Sequence, residues 1–446
     1  MSVVASRQLL KRVIPLFKSK LALNISWILV ERIVQMVIAL FVGVLSARFL
    51  GPANFGIINY SLSFMSLFMA ICTLGLEDIF VRDVLNEPSN TGKSMGSGIS
   101  MRLIASFISI ILILVTLQIT APGNDLLFTV SLVLSISLIF YSFELIEFWF
   151  QSKLQSKYVS IAKIITGVCV AGWKIALLML KASVVWFALS VTLEAALMAG
   201  ILVFMYYRNG GPKWKFSWNI SKVMLSQSYH LIISGLLVSL YTRTGQIMIG
   251  NMIGQSEVGI YAAATRLSDV WFILPLAIIS SATPVIIEQK KHDYDLYIRK
   301  LKQLYAVIIW LGIGVGIFFS IFSFLIVDLL YGPAYSRAAG VLNINIWSGI
   351  FAMLGTARSV WVVCENYQKY VKHYIIFGTI TNLLLNWILI PVIGIYGASW
   401  STLISQMVVA VVAPMFFKRT RISSQLMFDA LRLKGLRVQT KSKGLQ

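Results

Sequence analysis

Hydrophobic and polar positions along this chain sort into twelve runs of about twenty largely apolar residues, parted by short polar stretches. A helix rises about 1.5 Å per residue, so each run is long enough to cross a hydrocarbon core of about 30 Å. The predicted spans are Leu21–Leu50, Gly56–Phe80, Gly98–Ile119, Asp125–Phe150, Tyr158–Leu180, Val184–Tyr206, Tyr229–Gly250, Gly259–Ile287, Leu301–Leu330, Ala339–Cys364, Val371–Ile390 and Gly397–Phe417. A short signature sits between two apolar runs in each half: Gly51-Pro52-Ala53-Asn54-Phe55-Gly56-Ile57 returns in outline as Gly254-Gln255-Ser256-Glu257-Val258-Gly259-Ile260. Gly51 to Gly254 and Gly56 to Gly259 are both offsets of 203 residues, which predicts a duplicated membrane unit of the kind many secondary transporters use. The expected organisation is a basic N-terminus (1–20), a six-helix lobe (21–206), a linker (207–228), a second six-helix lobe (229–417) and a basic tail (418–446).

Composition agrees with the pattern. With 58% hydrophobic and 12% charged residues and a mean hydropathy of +0.82, the chain has too few polar side chains to clothe a soluble fold. Arg7, Lys11, Arg12, Lys18 and Lys20 precede a run too long for a signal-peptide core, which predicts a retained first helix.

The formal net charge of +21 is mostly a topology signal. An N-terminus in the cytoplasm gathers Lys153, Lys157, Arg208, Lys213, Lys215, Lys290, Lys291, Arg299, Lys302, Lys369, Lys372 and the tail on one face, and leaves Arg48, Lys181 and Arg337 on the other. That bias predicts an even number of spans with both termini cytoplasmic. It also suits an anionic inner leaflet, and without a basic groove interleaved with aromatics it points away from nucleic acid. In the tail, Leu426, Met427, Ala430 and Leu431 share a face amid Arg432, Lys434 and Arg437, which predicts a short interfacial helix that transport tolerates losing.

Familiar soluble motifs do not survive inspection. Thr91-Gly92-Lys93-Ser94 ends like a phosphate-binding loop, but Glu87 stands where the first glycine belongs and no strand precedes it. Asp293-Tyr294-Asp295 has a metal-binding spacing in a loop full of lysines, where solvated charge is the simpler account. Cys72, Cys169 and Cys364 fall on separate spans without ligand spacing, and His230, His292 and His373 sit at predicted helix ends. No metal and no cofactor are expected.

The informative chemistry lies inside the spans, where ionisable groups usually face a bundle interior or a watery cavity. The second span carries Asn59, Ser63, Ser66, Ala70, Thr73 and Glu77 at alternating spacings of four and three, one face of a helix. The first contributes Arg32, Gln35, Ala39 and Ser46 with Glu31 beside them, the seventh Ser239, Arg243, Gln246 and Gly250, and the eighth Thr265, Arg266 and Asp269. These four helices are equivalent under the repeat, so the stripes predict a polar translocation cavity. Lys174, Glu194 and Arg243 lie deep by count. Arg102, Glu144, Glu147 and Arg358 lie near enough to the cytoplasmic surface to snorkel. Arg266 with Asp269 has the alternative of a purely structural pair within one helix.

The chain resembles the O-antigen and polysaccharide repeat-unit flippases (Wzx-type) of the multidrug/oligosaccharidyl-lipid/polysaccharide exporter superfamily. The resemblance is carried by Ala47-Arg48-Phe49-Leu50-Gly51-Pro52-Ala53-Asn54-Phe55-Gly56, Glu147-Phe148-Trp149-Phe150-Gln151, Leu330-Tyr331-Gly332-Pro333-Ala334-Tyr335 and Tyr396-Gly397-Ala398-Ser399-Trp400-Ser401, in order over nearly the whole chain. Ser152 departs from the family's usual glycine, which touches only the local loop. It implies an all-α membrane protein of about twelve transmembrane helices in two pseudo-symmetric six-helix lobes, MATE-like and V-shaped. The implied substrate is undecaprenyl-diphosphate-linked oligosaccharide moved across a bacterial inner membrane, with other polysaccharide-assembly membrane proteins as further candidate partners.

On that reading Arg32, Arg243, Arg266 and Lys174 are candidates for the diphosphate, since guanidinium fits phosphate oxygens in a fork. Gln35, Asn59, Ser63 and Gln246 are candidates for sugar hydroxyls, and Asp269, Glu31 and Glu194 for ion coupling. Rival readings are a multidrug cation antiporter, which asks for an acidic, aromatic pocket, and a membrane polymerase or glycosyltransferase, which asks for a sizeable extracytoplasmic loop. A non-transporting scaffold is the third.

Overall fold

Apolar length sets the architecture, and local chemistry decides where each span bends. The computed structural model describes residues 20–434, without the side chains of residues 20–25 and 29. Arg7, Lys11, Arg12 and Lys18, the Lys20 side chain, and Arg437 and Lys443 of the tail lie outside the described residues. Among the described residues every regular element is a helix. Eleven segments are long and apolar enough to cross a membrane, and the first, Ser26–Asn86, runs for 61 residues. As one straight rod it would be about 90 Å long, three times the hydrocarbon thickness. Gly51 breaks it, with φ 70° and ψ 170°, and Pro52 opens the second arm with a φ already set for a helix and no N–H left over. This segment therefore holds two of the predicted spans, and the reading of about twelve transmembrane helices stands. The equivalent Gly254 holds φ at 106° just before the helix Gln255–Val270, so the repeated signature is one turn device used twice.

Several spans read as single helices are broken. Helix Lys20–Thr73 stops where Leu74 and Gly75 take left-handed φ values, and the chain restarts as Glu77–Asn86. Span four is divided into Asp125–Ser135, Ser137–Tyr141, a 3-10 turn at Ser142–Glu144, and Leu145–Ser152. Serine hydroxyls compete for its carbonyls: Ser137 Oγ donates to Leu134 O (2.6 Å) and Ser106 Oγ to Leu138 O (2.8 Å). Span eight is divided at Trp271–Phe272, where Pro275 has no N–H to return to the carbonyl four residues back.

The described residues form two compact units, one of residues 20–50 and 61–239, the other of residues 51–60 and 240–434. In the first, Leu76, Phe80, Leu145, Trp149, Phe150, Leu202 and Tyr206 make the core. After helix Val184–Arg208, residues 209–217 run as a strap over the start of helix Thr91–Thr120. Lys215 N–H donates to Gly92 O (2.9 Å), Ser97 Oγ donates to Ser217 O (3.1 Å), and Ser217 N–H donates back to Ser97 Oγ (3.0 Å). A Cβ on Gly92 or Gly96 would stand 2.5 Å from a strap carbonyl. Gly92 of the phosphate-loop lookalike, with Gly96 one turn on, thus admits the linker's backbone.

The second unit has its core around Trp271, Tyr297, Leu301, Leu304, Tyr305, Met353 and Trp361. Within it the two copies of the signature pack on each other. A Cβ on Gly56 would overlap the backbone of Gln255, and one on Gly259 would overlap the carbonyl of Pro52. The tail helix Arg421–Leu431 differs from the sequence expectation: Leu426, Met427 and Ala430 are buried in the core of this unit, Lys302 pairs with Asp429 at 2.7 Å, and Ser424 Oγ donates to Val411 O at 2.8 Å. Three of the four residues of its apolar face are thus covered by protein, and Leu431 stays exposed. Elsewhere large side chains such as Ile104, Ile111, Phe324 and Leu325 stand more than half exposed, as membrane-facing surface does.

Two outcomes follow from these contacts. Gly259→Val is expected to remove the monodisperse species from size-exclusion chromatography in detergent, because the obstacle is backbone and cannot step aside. Cutting the chain after Thr420 is expected to lower stability by about 3 kcal/mol, the burial of Leu426, Met427 and Ala430, read as a fall in melting temperature; an unchanged melting temperature would return the helix to the membrane surface.

Candidate functional site

In the first unit a half-open cavity of about 380 Å³ lies between four helical segments, lined by Gln35, Tyr141, Glu144, Glu147, Lys163 and Glu194 among others. Helix Ser156–Met179 brings Lys163 against Glu147, with Nζ 2.8 Å from the carboxylate and the acid nearly buried. Gln35 Nε2 donates to Lys163 O at 2.5 Å, and Gly167, one turn on, leaves room for that amide. Glu31 lies within electrostatic reach of Lys163, Glu147 and Arg32. Three lining carboxylates face one ammonium, so the cavity keeps an attraction for positive charge after its internal pair is formed. Of the sequence candidates, Gln35, Glu194 and Glu31 are brought together here. Lys174 is half-buried about three turns along the helix from Lys163, outside the cavity lining, and Ser63 is buried in the same unit.

Two arginines assigned to the membrane surface are not there. Arg102 is fully buried, its Nε donates to Thr73 O at 3.0 Å where the helix breaks, and its Nη2 lies 3.8 Å from Glu77. Arg358, also buried, donates to Val409 O and Ala410 O, both at 2.9 Å, at the π-helical turn Val408–Val412, and lies over the Tyr374 ring at 4.6 Å. Snorkelling is replaced by capping: each guanidinium serves carbonyls that an irregular helix has released. Glu147 is likewise buried and paired, and Glu144 lines the cavity rather than the surface.

The second unit holds the cationic candidates. Arg266 is half-buried. Its Nη2 donates to Asn59 Oδ1 at 3.3 Å, and its guanidinium lies 4.9 Å over the Phe55 ring. Asn59 Nδ2 in turn donates to Phe55 O at 2.7 Å, and Tyr335 meets Phe55 edge-on. Arg266 is therefore held by an amide and an aromatic ring, and among the described residues it forms no ion pair with Asp269. Asp269 is exposed and lies within electrostatic reach of Arg243, itself exposed. Gln246 is half-buried on the same helix as Arg243, Trp218–Met252. Arg32 is exposed on the first helix.

Sequence reasoning missed Lys163, a single lysine in an apolar run, and undervalued Glu144 and Glu147. Their spacing of three residues was a usable signal, because it places both carboxylates on one side of a span that has almost no other charge.

The family model described as "Polysaccharide biosynthesis protein" matches residues 21–290, and the MatE model matches residues 231–388. A putative O-antigen transporter of Salmonella typhi is 23% identical over 185 residues, covering 42% of this chain and 40% of that protein. The probable flippase AglR of Haloferax volcanii is 25% identical over 176 residues, covering 39% and 37%. These two matches span about two-fifths of the relatives' own length. A putative O-antigen transporter of Escherichia coli K12 is 21% identical over 392 residues, 84% of this chain and 91% of that protein. Among solved structures, the lipid II flippase MurJ in its inward closed conformation has a TM-score of 0.71 at 13% identity, covering 91% of this chain and 90% of that one. An inward-facing multidrug resistance MATE family transporter of the MOP superfamily has a TM-score of 0.66 at 14% identity, covering 90% and 96%. These likenesses give the fold, which is that of the MOP superfamily.

The Lys163–Glu147 pair makes a prediction of its own. Lys163→Met strands a nearly buried carboxylate and is expected to destabilise the protein by about 1–2 kcal/mol, less than a fully buried pair because the lysine is one-third exposed. Adding Glu147→Gln should restore most of the loss in thermal unfolding; additive effects of the two changes would mean the pair does not act as a unit.

Proposed function

The chain belongs to the polysaccharide biosynthesis protein family, and we propose that it is a flippase moving undecaprenyl-diphosphate-linked oligosaccharide repeat units from the cytoplasmic to the periplasmic leaflet by alternating access. The observation that carries this reading is the cationic character of the polar stripes in the second unit, where Arg243 and Arg266 stand against the single carboxylate of Asp269. A diphosphate and a set of hydroxyls cannot cross hydrocarbon without losing their hydrogen bonds. Guanidinium offers the diphosphate a forked, permanently charged partner, and the amides of Asn59 and Gln246 offer the sugar both donors and acceptors. The polyprenyl tail needs no polar partner. The putative O-antigen transporter that aligns along 91% of its own length supports the same reading. The lysine and arginine bias supports an inner-membrane orientation with both termini in the cytoplasm.

Ion coupling is assigned to the first unit. Lys163 neutralises one of three carboxylates lining its cavity, so a proton or small cation drawn to Glu144, Glu194 or the neighbouring Glu31 changes the charge of a site that is expensive to leave unbalanced. That acid-lined cavity is also the observation on the side of a multidrug cation antiporter, the second reading.

A leaflet-accessibility assay of the lipid-linked repeat unit in proteoliposomes tests the assignment. Arg243→Ala and Arg266→Ala are each expected to slow transfer about tenfold or more with protein level unchanged, and Lys at either position to recover part of it by keeping charge and losing the fork. Gln performing as well as Arg at both positions would remove diphosphate neutralisation as their task, and transfer of an organic cation in place of the lipid would favour the antiporter.

A further inference from the structure

The first three turns of helix Trp218–Met252 form a ridge between two grooves in the first unit. Trp218, Lys222, Leu225 and Tyr229, at spacings of four, three and four, face one groove together with Met101; its volume is about 560 Å³ and its lining is almost wholly apolar. Asn219, Val223 and Gln227, at spacings of four, face the other, of about 470 Å³. Across from them stand Asn86 and Asn90 with Arg82 and Asp83. The polar wall is braced by its own bonds: Arg82 donates to Gln227 and, at 2.8 Å, to Asp83, and Asn90 donates to Glu87 at 2.7 Å.

An apolar trough alone would hold any acyl chain, and a polar groove alone any solute. The two on opposite flanks of one ridge select a molecule that is hydrocarbon at one end and polyhydroxylated at the other. Carboxamides donate and accept at once, which suits vicinal hydroxyls, and Asp83 and Arg82 add an acceptor and a donor. Lys222, exposed on the apolar flank, places one positive charge where such a molecule carries its anionic junction. Trp218 is 72% exposed and Leu225 44%, so the apolar flank needs a cover.

Resting on the flippase reading above, we propose that this ridge is the loading site for the lipid-linked sugar before transport: the polyprenyl chain lies in the Trp218–Leu225–Tyr229 groove, the diphosphate faces Lys222, and the first sugars occupy the groove of Asn86, Asn219 and Gln227. It is a recognition site, separate from the Arg243 and Arg266 stripes. The occupant is a polyprenyl glycolipid rather than bulk phospholipid, because a phospholipid headgroup brings at most one glycerol diol to a carboxamide-walled groove of about 470 Å³, whereas a chain of sugars brings hydroxyls along its length.

The full chain in nanodiscs of phosphatidylethanolamine and phosphatidylglycerol provides the test, with undecaprenol, undecaprenyl diphosphate and the undecaprenyl-diphosphate-linked oligosaccharide as titrants. Leu225→Glu is expected to weaken both diphosphates about tenfold, and Lys222→Gln to weaken both while sparing undecaprenol. Asn86→Ala with Asn219→Ala is expected to bring the oligosaccharide-bearing lipid down to the affinity of the bare diphosphate and to leave the latter unchanged. All positions are exposed, so the variants keep the core. Wild-type binding that none of these changes moves, or that phosphatidylglycerol displaces equally well, would overturn the loading site and leave the flippase reading standing. A wild-type protein that binds neither diphosphate would overturn both.

Discussion

A carbonyl oxygen without a hydrogen-bond partner is costly in hydrocarbon, and the irregularities of this chain are arranged around that constraint. At several irregular points in the helices another group donates to a carbonyl oxygen at the break. Arg102 serves Thr73 ahead of the left-handed turn at Leu74 and Gly75, Ser106 serves Leu138 in the divided fourth span, and Arg358 serves Val409 and Ala410 at the π turn. Two guanidinium groups thus lie buried in apolar surroundings with backbone carbonyls as partners. Their role is to make bent helices permissible, and bent helices are what create concave surface inside a bundle.

The same constraint separates structural charge from available charge. Arg102 and Arg358 are committed to the backbone and Lys163 to Glu147, whereas Arg243 and Asp269 remain exposed. Arg266 falls between: its ring and amide contacts fix the direction of the guanidinium but use one hydrogen bond among five donors. A held cation with donors to spare is preorganised for an anion, since little side-chain freedom is left to lose on binding.

Much of the fold was legible because run length alone reports a membrane span and the paired glycines reported a repeat; that the glycines serve a turn and a close approach only the structure showed. The breaks were not legible. Their partners lie far along the chain, as Ser106 does from Leu138 and Arg102 from Thr73, and no local pattern announces a bond between them. Charge was misread for the same reason: Arg102 and Arg358 sit at a depth that permits snorkelling, and only the packed bundle shows that a carbonyl is nearer than the membrane surface. The tail helix had a readable apolar face, but a face does not say whether lipid or protein will cover it; Leu426 and Met427 are covered by protein. Among the candidate residues, Gln35 was found on a stripe, Glu31 beside it and Glu194 by its depth, and their grouping around Lys163 needed the fold.

The repeat itself carries a last step. An offset of 203 residues aligns the two turn glycines and the two crossing glycines, and it also aligns Ser63 with Arg266 and Ser66 with Asp269. Backbone demands have been kept in both copies while the charges exist in one. A hydroxyl in the first copy and an ion in the second cannot have the same task, because a serine neither neutralises a phosphate nor draws a cation. Duplication therefore accounts for the scaffold, and the charged chemistry is what the copies do not share: carboxylates around Lys163 in the first unit, and arginines beside Asn59 and Asp269 in the second.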